Sequence, residues 1–336
     1  LEDLLKRSPN SYEMYEEQVK AILDNVKKRG DEALFEYTEK FDGFCLDQQS
    51  VLVKEEEIEE AYTQVDRGLI EIIRKALKNI ETYHEKQRQY SWFDSKPDGT
   101  ILGQKVTALD RVGVYVPGGK AAYPSSVLMN IVPAKTAGVR EIIMVTPPGK
   151  DGKVTPTTLV AAKEAGADKI YKVGGAQAIA ALAYGTESIS KVDKIVGPGN
   201  IYVATAKRKV FGKVGIDMIA GPSEILVLAD GGCDPAWVAA DLLSQAEHDR
   251  LASPVLVTDS AELAKAVQAE LEVQIPQLPR AAIARASVDD NGKIILCTDL
   301  HKAIEACNII APEHLEVCVE DPFGVLNEIR NAGSIF

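Results

Sequence analysis

Val112-Gly113-Val114-Tyr115-Val116-Pro117-Gly118-Gly119 is a short apolar run, rich in β-branched residues, that ends in a glycine turn. Such a run predicts a buried strand followed by a tight loop. Similar runs follow it, with helix-like segments between them. The predicted strands cover 112–116, 141–146, 169–173 and 194–196, and the predicted helices cover 127–137, 158–165 and 176–184. Because each helix can return the chain to the same edge, we expect a doubly wound parallel sheet.

The same alternation resumes later in the chain and predicts a second parallel sheet. Its strands are expected at 224–229, 254–258, 293–297 and 315–319, and its helices at 235–247, 261–273 and 302–307. Residues 1 to about 90 have helical patterns, including an apolar stripe of Val19, Ile22, Leu23 and Val26 that ends before Gly30. The predicted fold class is α/β, with two Rossmann-like doubly wound sheets and a helical N-terminal region.

Length and charge limit the possible function classes. The 336 residues exceed the usual size of a single core, which predicts two domains. Because 38 basic residues face 50 acidic ones, the net charge of −12 disfavours a nucleic-acid surface. No apolar run is long enough to span a bilayer, and the acidic N-terminus is unlike a signal peptide, so we expect no membrane partner and a cytoplasmic location. The five scattered cysteines are expected to be reduced.

Three glycine-rich loops follow predicted strands of the first sheet. They are Pro117-Gly118-Gly119, Gly174-Gly175 and Gly197-Pro198-Gly199-Asn200. In a parallel sheet these loops leave from one edge, where glycine allows backbone N–H groups to approach a phosphate. No GxGxxG motif is present, so tight turns without a ligand remain the alternative to a nucleotide site.

Two other stretches carry groups that could do chemistry. Ser244-Gln245-Ala246-Glu247-His248-Asp249 ends a predicted helix, so Gln245 and His248 should share one face and could hold a metal or a small ligand. A polar helix terminus is the alternative, since Gln is an unusual metal ligand. Glu313-His314 precedes a predicted strand and could divide proton transfers, or it could be an exposed turn.

Several motifs, taken together and in order, resemble the histidinol dehydrogenase family over essentially the whole chain. They are Arg111-Val-Gly-Val-Tyr-Val-Pro-Gly-Gly119, Gly174-Gly-Ala-Gln-Ala-Ile-Ala-Ala-Leu182, Val196-Gly-Pro-Gly-Asn-Ile-Tyr202, Ile219-Ala-Gly-Pro-Ser-Glu224, Ser244-Gln-Ala-Glu-His-Asp249 and Ala311-Pro-Glu-His-Leu-Glu316. The resemblance implies a zinc-dependent enzyme that oxidises L-histidinol to L-histidine with two NAD, through bound histidinaldehyde.

The resemblance also implies a role for individual residues. Gln245 and His248 would be zinc ligands, and the metal would position the substrate's amine and imidazole. His314 would be the base in both oxidations and Glu313 would activate water. The substrate contacts would be Ser223, Gln245, His248 and His314, and the NAD contacts would be Tyr115, Gln177 and Asn200.

Domain organisation follows from the same resemblance. It implies a discontinuous substrate and metal domain, residues 1–113 plus 222–336, with an inserted NAD domain at 114–221. Family members are homodimers whose C-terminal tails cross to the partner subunit. The family continues after Phe336 with a segment that carries an Asp and a His as the remaining zinc ligands, so we expect this chain to hold only part of the metal site and its own turnover to be doubtful.

Two other function classes remain open at the level of sequence. One is an aldehyde-dehydrogenase-like enzyme that uses Cys233, in Gly231-Gly232-Cys233, as a covalent nucleophile. A cysteine after a strand is more often a small packed hydrophobe. The other is a non-catalytic binding protein that keeps the fold and a weak nucleotide site.

Overall fold

The computed structural model describes residues 12–118, 124–219 and 221–336. The chain forms two compact units, with the division at residues 220 and 221. The predicted helical content of residues 1–11 and the glycine at position 119 lie outside the described residues. Within the described ranges, no helix combines the length and apolar character needed to cross a bilayer.

A five-stranded parallel sheet forms the centre of the first unit. The strands are β3 (Arg111–Tyr115), β4 (Glu141–Val145), β5 (Lys169–Tyr171), β6 (Lys194–Val196) and β7 (Gly215–Ile216). Their order across the sheet is β5-β4-β3-β6-β7. The first four confirm the strands predicted from the sequence. β7, only two residues long, was not predicted because so short a strand leaves no periodic signal.

Helices cover both faces of this sheet. They are α1 (Tyr12–Arg29), α2 (Asp31–Asp42), α3 (Glu55–Gln64), α4 (Arg67–Glu85), α5 (Pro124–Thr136), α6 (Pro156–Ala165), α7 (Gly175–Tyr184) and α8 (Ile201–Val210). On one face α1 and α2 pack with α7 and α8, and the predicted stripe that starts at Val19 is buried there. On the other face α3 and α4 pack with α5 and α6. The alternation of buried residues along β4, with Ile142 and Ile143 in different clusters, produces the two cores.

An antiparallel hairpin precedes the first sheet and was not predicted. Its strands are β1 (Trp92–Ser95) and β2 (Ile101–Gln104), and every residue in both is exposed. Two strands alone provide little stability.

The second unit repeats the same architecture, with the strand order β10-β9-β8-β11-β12. Its strands are β8 (Glu224–Ala229), β9 (Ser253–Thr258), β10 (Lys293–Leu296), β11 (His314–Cys318) and β12 (Ser334–Ile335), and its helices are α9 (Pro235–Ala246), α10 (Ala261–Gln274), α11 (Ala281–Asn291), α12 (Leu300–Ile310) and α13 (Pro322–Val325). All pairings are parallel. The first strand of each sheet therefore lies at its centre, with strands added on both sides, and the predicted fold class is confirmed.

The two units can be compared with the domains that the resemblance implies. The division after residue 220 lies at the return point expected near 221. The described helices α1 to α4, however, pack against the sheet of residues 111–216 within the first unit. The discontinuous grouping of 1–113 with 222–336 stays a prediction.

Candidate active site

A cavity of about 1120 Å³ opens at the carboxyl ends of the first sheet. Strand β4 pairs with one side of β3 and β6 pairs with the other, so the direction in which strands are added to the sheet reverses at β3. Such a switch point leaves a crevice in which α/β proteins bind ligands. Tyr115, Gln177 and Asn200 all line the cavity, together with Gly118 and Gly175. The structure thus brings together the three residues that the resemblance assigns to NAD.

Tyr115 closes the end of β3 and holds the start of helix α7. Its hydroxyl oxygen accepts a hydrogen bond from the Gly175 N–H at 3.1 Å. The side chain is 4% exposed, and burial raises the pKa of the phenol to about 12. The hydroxyl therefore stays protonated near neutral pH and keeps a hydrogen-bond donor for a ligand.

Gln177 presents the most unusual polar group in the cavity. The residue is 1% exposed, and both Oε1 and Nε2 are buried without a hydrogen-bond partner among the described residues. A buried amide without partners destabilises the folded chain by about 1–3 kcal/mol per group. Because native proteins rarely leave such groups unsatisfied, this side chain points to a ligand that completes its hydrogen bonds.

Asn200 has a structural role that sequence spacing did not show. It is the N-cap of α8, where its Oδ1 accepts hydrogen bonds from the backbone N–H groups of Tyr202 and Val203 at 3.1 and 3.2 Å. This orientation commits the oxygen to the helix. The amide Nδ2 is the part of the side chain that remains to donate to a ligand.

Side chains of the first unit hold the loop before Asn200 in place. The Gly197 N–H donates to Asp217 Oδ2 at 2.8 Å, and the buried Lys207 ammonium donates to the Gly197 carbonyl at 2.9 Å and also pairs with Asp217. Gly197 has a φ of +112°. A Cβ at Gly199 would lie 2.3 Å from Val203 Cγ1, so packing against α8 requires that glycine. Loop packing therefore explains Gly197 and Gly199. The evidence for a ligand comes from the polar groups of the cavity.

The candidate residues of the second unit lie at the opposite end of their sheet. Ser223 directly precedes β8, Glu313 directly precedes β11, and His314 is the first residue of β11. Helix α9 runs from the carboxyl end of β8 back to the start of β9, which returns Gln245 and His248 to the same amino-terminal edge. These candidate residues of the second unit therefore do not lie at the carboxyl edge of the sheet, where α/β proteins usually bind ligands.

Glu313 and His314 are fixed by strand β8. The Glu313 carboxylate accepts a hydrogen bond from the Glu224 N–H, and the Glu224 carboxylate accepts one from the Glu313 N–H, both at 3.3 Å. The His314 Nδ1 lies 2.9 Å from the Glu224 carbonyl oxygen and 3.7 Å from Glu313 Oε2. The His314 ring also stacks on Phe336 with a centroid distance of 6.2 Å. Both side chains remain partly exposed, so a substrate can reach them.

Gln245 lies in the last turn of α9, whereas His248 lies just beyond the end of the helix. Helix α9 ends at Ala246, and the His248 N–H donates to the Gln245 carbonyl at 3.0 Å to close the last turn. The His248 N–H thereby satisfies one of the terminal carbonyl groups of α9. Gln245 is half-buried and His248 is exposed.

Donor number limits a zinc site at this position. Tetrahedral zinc needs four donors, so Gln245 and His248 would need two more. In the parts of the chain that the structure describes, the group of three His, Cys, Asp or Glu ligand atoms that lie within 4.8 Å of one another is Asp241, Glu316 and Cys318, which does not include His248. The described residues therefore do not complete a zinc site around His248.

Comparison with known proteins gives the family. The histidinol dehydrogenase family model matches residues 5–336. The chain belongs to the histidinol dehydrogenase family. It is 59% identical to the histidinol dehydrogenase of Bacillus subtilis (strain 168) over 333 residues, covering 99% of this chain and 78% of that relative. It is 58% identical to that of Geobacillus kaustophilus (strain HTA426), covering 96% of this chain and 76% of the relative.

A solved structure agrees with the sequence relatives. The crystal structure of histidinol dehydrogenase from Elizabethkingia anophelis superposes with a TM-score of 0.92 at 39% identity, covering 96% of this chain and 74% of that chain. The known reaction of the histidinol dehydrogenase family is the oxidation of histidinol to histidine, and the chain is therefore an oxidoreductase of histidine biosynthesis with histidinol as its substrate.

Cys233 does not fit the aldehyde-dehydrogenase-like alternative. Its thiol donates to the Cys318 carbonyl at 2.7 Å, and burial raises the pKa of the Cys233 thiol. A covalent nucleophile needs a thiolate, which a raised pKa disfavours. All five cysteines are free thiols in the structure.

Sequence reasoning missed two acidic groups. Glu316 lies beside Asp241 and Cys318, and burial together with the Asp241 carboxylate raises the pKa of Glu316 to about 7. Asp42, the last residue of α2, lines the cavity of the first unit. The sequence carried one signal for Asp42. An acidic residue at a helix C-terminus opposes the helix dipole, so its presence there is not explained by helix stability.

Proposed function

We propose that NAD binds in the cavity lined by Tyr115, Gln177 and Asn200, and that Glu313 and His314 carry the proton transfers of the family's reaction. The unsatisfied amide of Gln177 is the observation that carries the cofactor proposal. A cavity of about 1120 Å³ at a switch point exceeds the usual size of small-molecule sites and suits a dinucleotide.

The reaction removes four electrons in two steps. Histidinol loses a hydride and a proton to give histidinaldehyde. The aldehyde adds water to form its hydrate, which loses a second hydride and a proton to give histidine. NAD, when bound, accepts a hydride in each oxidation. The residues of the chain must therefore remove the alcohol proton in the first step. In the second step they must remove a proton from the attacking water and then a hydroxyl proton from the hydrate.

His314 is proposed as the base for both steps. Its Nδ1 is oriented by the Glu224 carbonyl at 2.9 Å, which leaves Nε2 to receive a proton from the substrate. Glu313 is proposed to accept the proton of the attacking water. Its Oε2 lies 3.7 Å from His314 Nδ1, and the Glu224 N–H holds the carboxylate in place.

Substrate and metal contacts are proposed from the resemblance. Ser223, Gln245, His248 and His314 would contact histidinol. Gln245 and His248 would supply two zinc donors, and imidazole nitrogen is a common zinc ligand. Since the described residues do not complete that coordination, no step of the reaction is assigned to zinc. Lower zinc affinity in His248→Ala than in the unaltered chain, measured by calorimetry, would support the assignment.

The assembly and location are proposed on the same basis. We propose a homodimer in a cytoplasmic setting, with residues 1–113 and 222–336 grouped as the substrate and metal domain and residues 114–221 as the NAD domain. Sedimentation of the purified protein tests the dimer directly.

Gln177→Leu tests the cofactor site. Leucine has a volume similar to that of glutamine. The substitution breaks no hydrogen bond to the described residues, because the Gln177 amide makes none with them. Removing an unsatisfied buried amide should leave the melting temperature equal or higher. NAD affinity, measured by titration calorimetry, should fall about tenfold or more because the cofactor loses its hydrogen bonds to the amide.

Gln18→Leu is the matched control, since Gln18 also lines the cavity but is exposed to solvent. It should change NAD affinity much less than Gln177→Leu. Equal NAD affinity in Gln177→Leu and the unaltered chain would refute the proposed cofactor site.

A further inference from the structure

The carboxylate of Asp42 lies in the wall of the proposed cofactor cavity. Asp42 is the last residue of α2, and Gly43 follows it in the left-handed conformation that ends the helix. Its Oδ2 is buried and has no hydrogen-bond partner among the described residues. The cavity wall therefore contains a carboxylate with one oxygen that no described residue satisfies.

This position costs stability in two ways. A negative charge at a helix C-terminus opposes the helix dipole. Burial without a cation disfavours the ionised form, and desolvation raises the pKa of the Asp42 carboxyl to about 6. The residue nevertheless makes no compensating hydrogen bond through Oδ2. Uncompensated polar groups of this kind concentrate at functional sites.

Among the described residues, neither of the two lysines that line the cavity, Lys40 and Lys150, lowers the pKa of Asp42. The Lys40 ammonium, on the same helix, lies 5.5 Å from the centre of the Phe41 ring and so is directed at the aromatic face. Tyr37 stacks on the same Phe41 ring, with a centroid distance of 5.7 Å. The negative charge of Asp42 contributes to the raised pKa of Tyr115. The carboxylate thus shares the cavity wall with Tyr37, Phe41 and the protonated phenol of Tyr115.

We propose that Asp42 accepts hydrogen bonds from a ribose diol of the dinucleotide, a role that rests on NAD binding in this cavity. Two neighbouring hydroxyl donors match the two oxygens of a carboxylate, and hydrogen bonds to a charged acceptor are stronger than neutral ones. Acidic residues recognise NAD ribose in this way at other α/β switch points. If the ribose belongs to the adenosine half, the same charge repels the 2′-phosphate of NADP.

Asp42→Asn tests this role by removing the charge at constant size. Calorimetry with the full chain should show NAD affinity reduced about 10-fold to 100-fold, because charge-assisted hydrogen bonds are lost. The melting temperature should stay equal or rise, since an unpaired buried charge is removed. Glu39→Gln is the matched control. It neutralises an exposed carboxylate on the same helix outside the cavity lining, and should leave NAD affinity within twofold of the unaltered chain.

Separate halves of the cofactor identify the ribose. Weaker binding of AMP to Asp42→Asn, with a narrower gap between NAD and NADP affinity, supports contact with the adenosine ribose. Weaker binding of nicotinamide mononucleotide instead supports contact with the other ribose.

Three outcomes would overturn the inference. If NAD affinity is unchanged in Asp42→Asn but falls in Gln177→Leu, Asp42 has no ribose role and the proposed cofactor site stands. If neither variant changes NAD affinity, both proposals fail. If Asp42→Asn lowers the melting temperature together with the affinity, Asp42 acts structurally.

Discussion

The Nδ1 atom of His314 lies 2.9 Å from the backbone carbonyl oxygen of Glu224 on the neighbouring strand. A carbonyl oxygen can only accept, so Nδ1 carries the proton of the neutral ring. Nε2 then has a free lone pair, which is the state required of a general base. Strand pairing between β8 and β11 therefore selects the tautomer as well as the position of this imidazole.

Replacing His314 should slow both oxidations. His314→Ala removes the proton acceptor, and a general base typically contributes about 10²- to 10⁴-fold to the rate. The rate of NADH formation should fall within this range for histidinol and for histidinaldehyde. His301→Gln is the control, since His301 is an exposed histidine of the same unit that pairs with Glu328 at 2.8 Å. A rate that falls less than threefold with either substrate in His314→Ala would argue against a shared base.

Glu313→Gln should separate the two oxidations. Glutamine keeps an oxygen to accept the Glu224 N–H, so the local backbone should be preserved. It cannot accept a proton from water, so histidinaldehyde oxidation should slow more than histidinol oxidation and the aldehyde should accumulate. The two rates should be measured from separate substrates. Glu224→Gln, which neutralises the reciprocal carboxylate, should not produce this split, and an equal slowing of both steps in Glu313→Gln would refute the division of roles.

Asn200 should have separable capping and cofactor roles. Asn200→Ser keeps an oxygen for the N-cap of α8 but lacks the amide donor, so NAD affinity should fall while the melting temperature changes little. Asn200→Ala should lower both, with a stability loss of about 0.5–2 kcal/mol. Asp234→Ala removes the N-cap of α9, outside the cavity, and should lower stability alone. NAD affinity that follows stability in both Asn200 variants would assign the residue to the helix only.

The sequence predicted the elements of the fold better than the atoms of the site. Alternating apolar runs gave both sheets because burial on two faces leaves a strong pattern along each strand. Strands of two residues, such as β7 and β12, and the exposed hairpin carry no such pattern. The orientation of His314 depends on the Glu224 carbonyl, 90 residues away in the chain. The proposed role of Asp42 depends on the cavity that the end of α2 lines together with Tyr115 of β3. Neither relationship is local, so spacing could not reveal it.

Glu316 should make the stability of the chain fall as the pH rises. Burial and the nearby Asp241 carboxylate raise the pKa of Glu316 from 4.5 to about 7 in the folded chain. Below pH 4.5 the carboxyl is protonated in both the folded and unfolded states, so it imposes no penalty. Between pH 4.5 and about 7 the unfolded state ionises first, which favours unfolding, and above about 7 the penalty is fully present.

Glu316→Gln should remove this pH-dependent penalty. Its free energy of unfolding should match that of the unaltered chain near pH 4 and exceed it at pH 8, as measured by denaturant unfolding across that range. Asp241→Asn should shift stability in the same direction, because it removes the neighbouring carboxylate that raises the pKa. Glu305→Gln is the control, since Glu305 pairs with Lys302 at the surface and such pairs contribute little. A stability difference between Glu316→Gln and the unaltered chain that stays constant from pH 4 to pH 8 would show that Glu316 ionises normally in the folded protein.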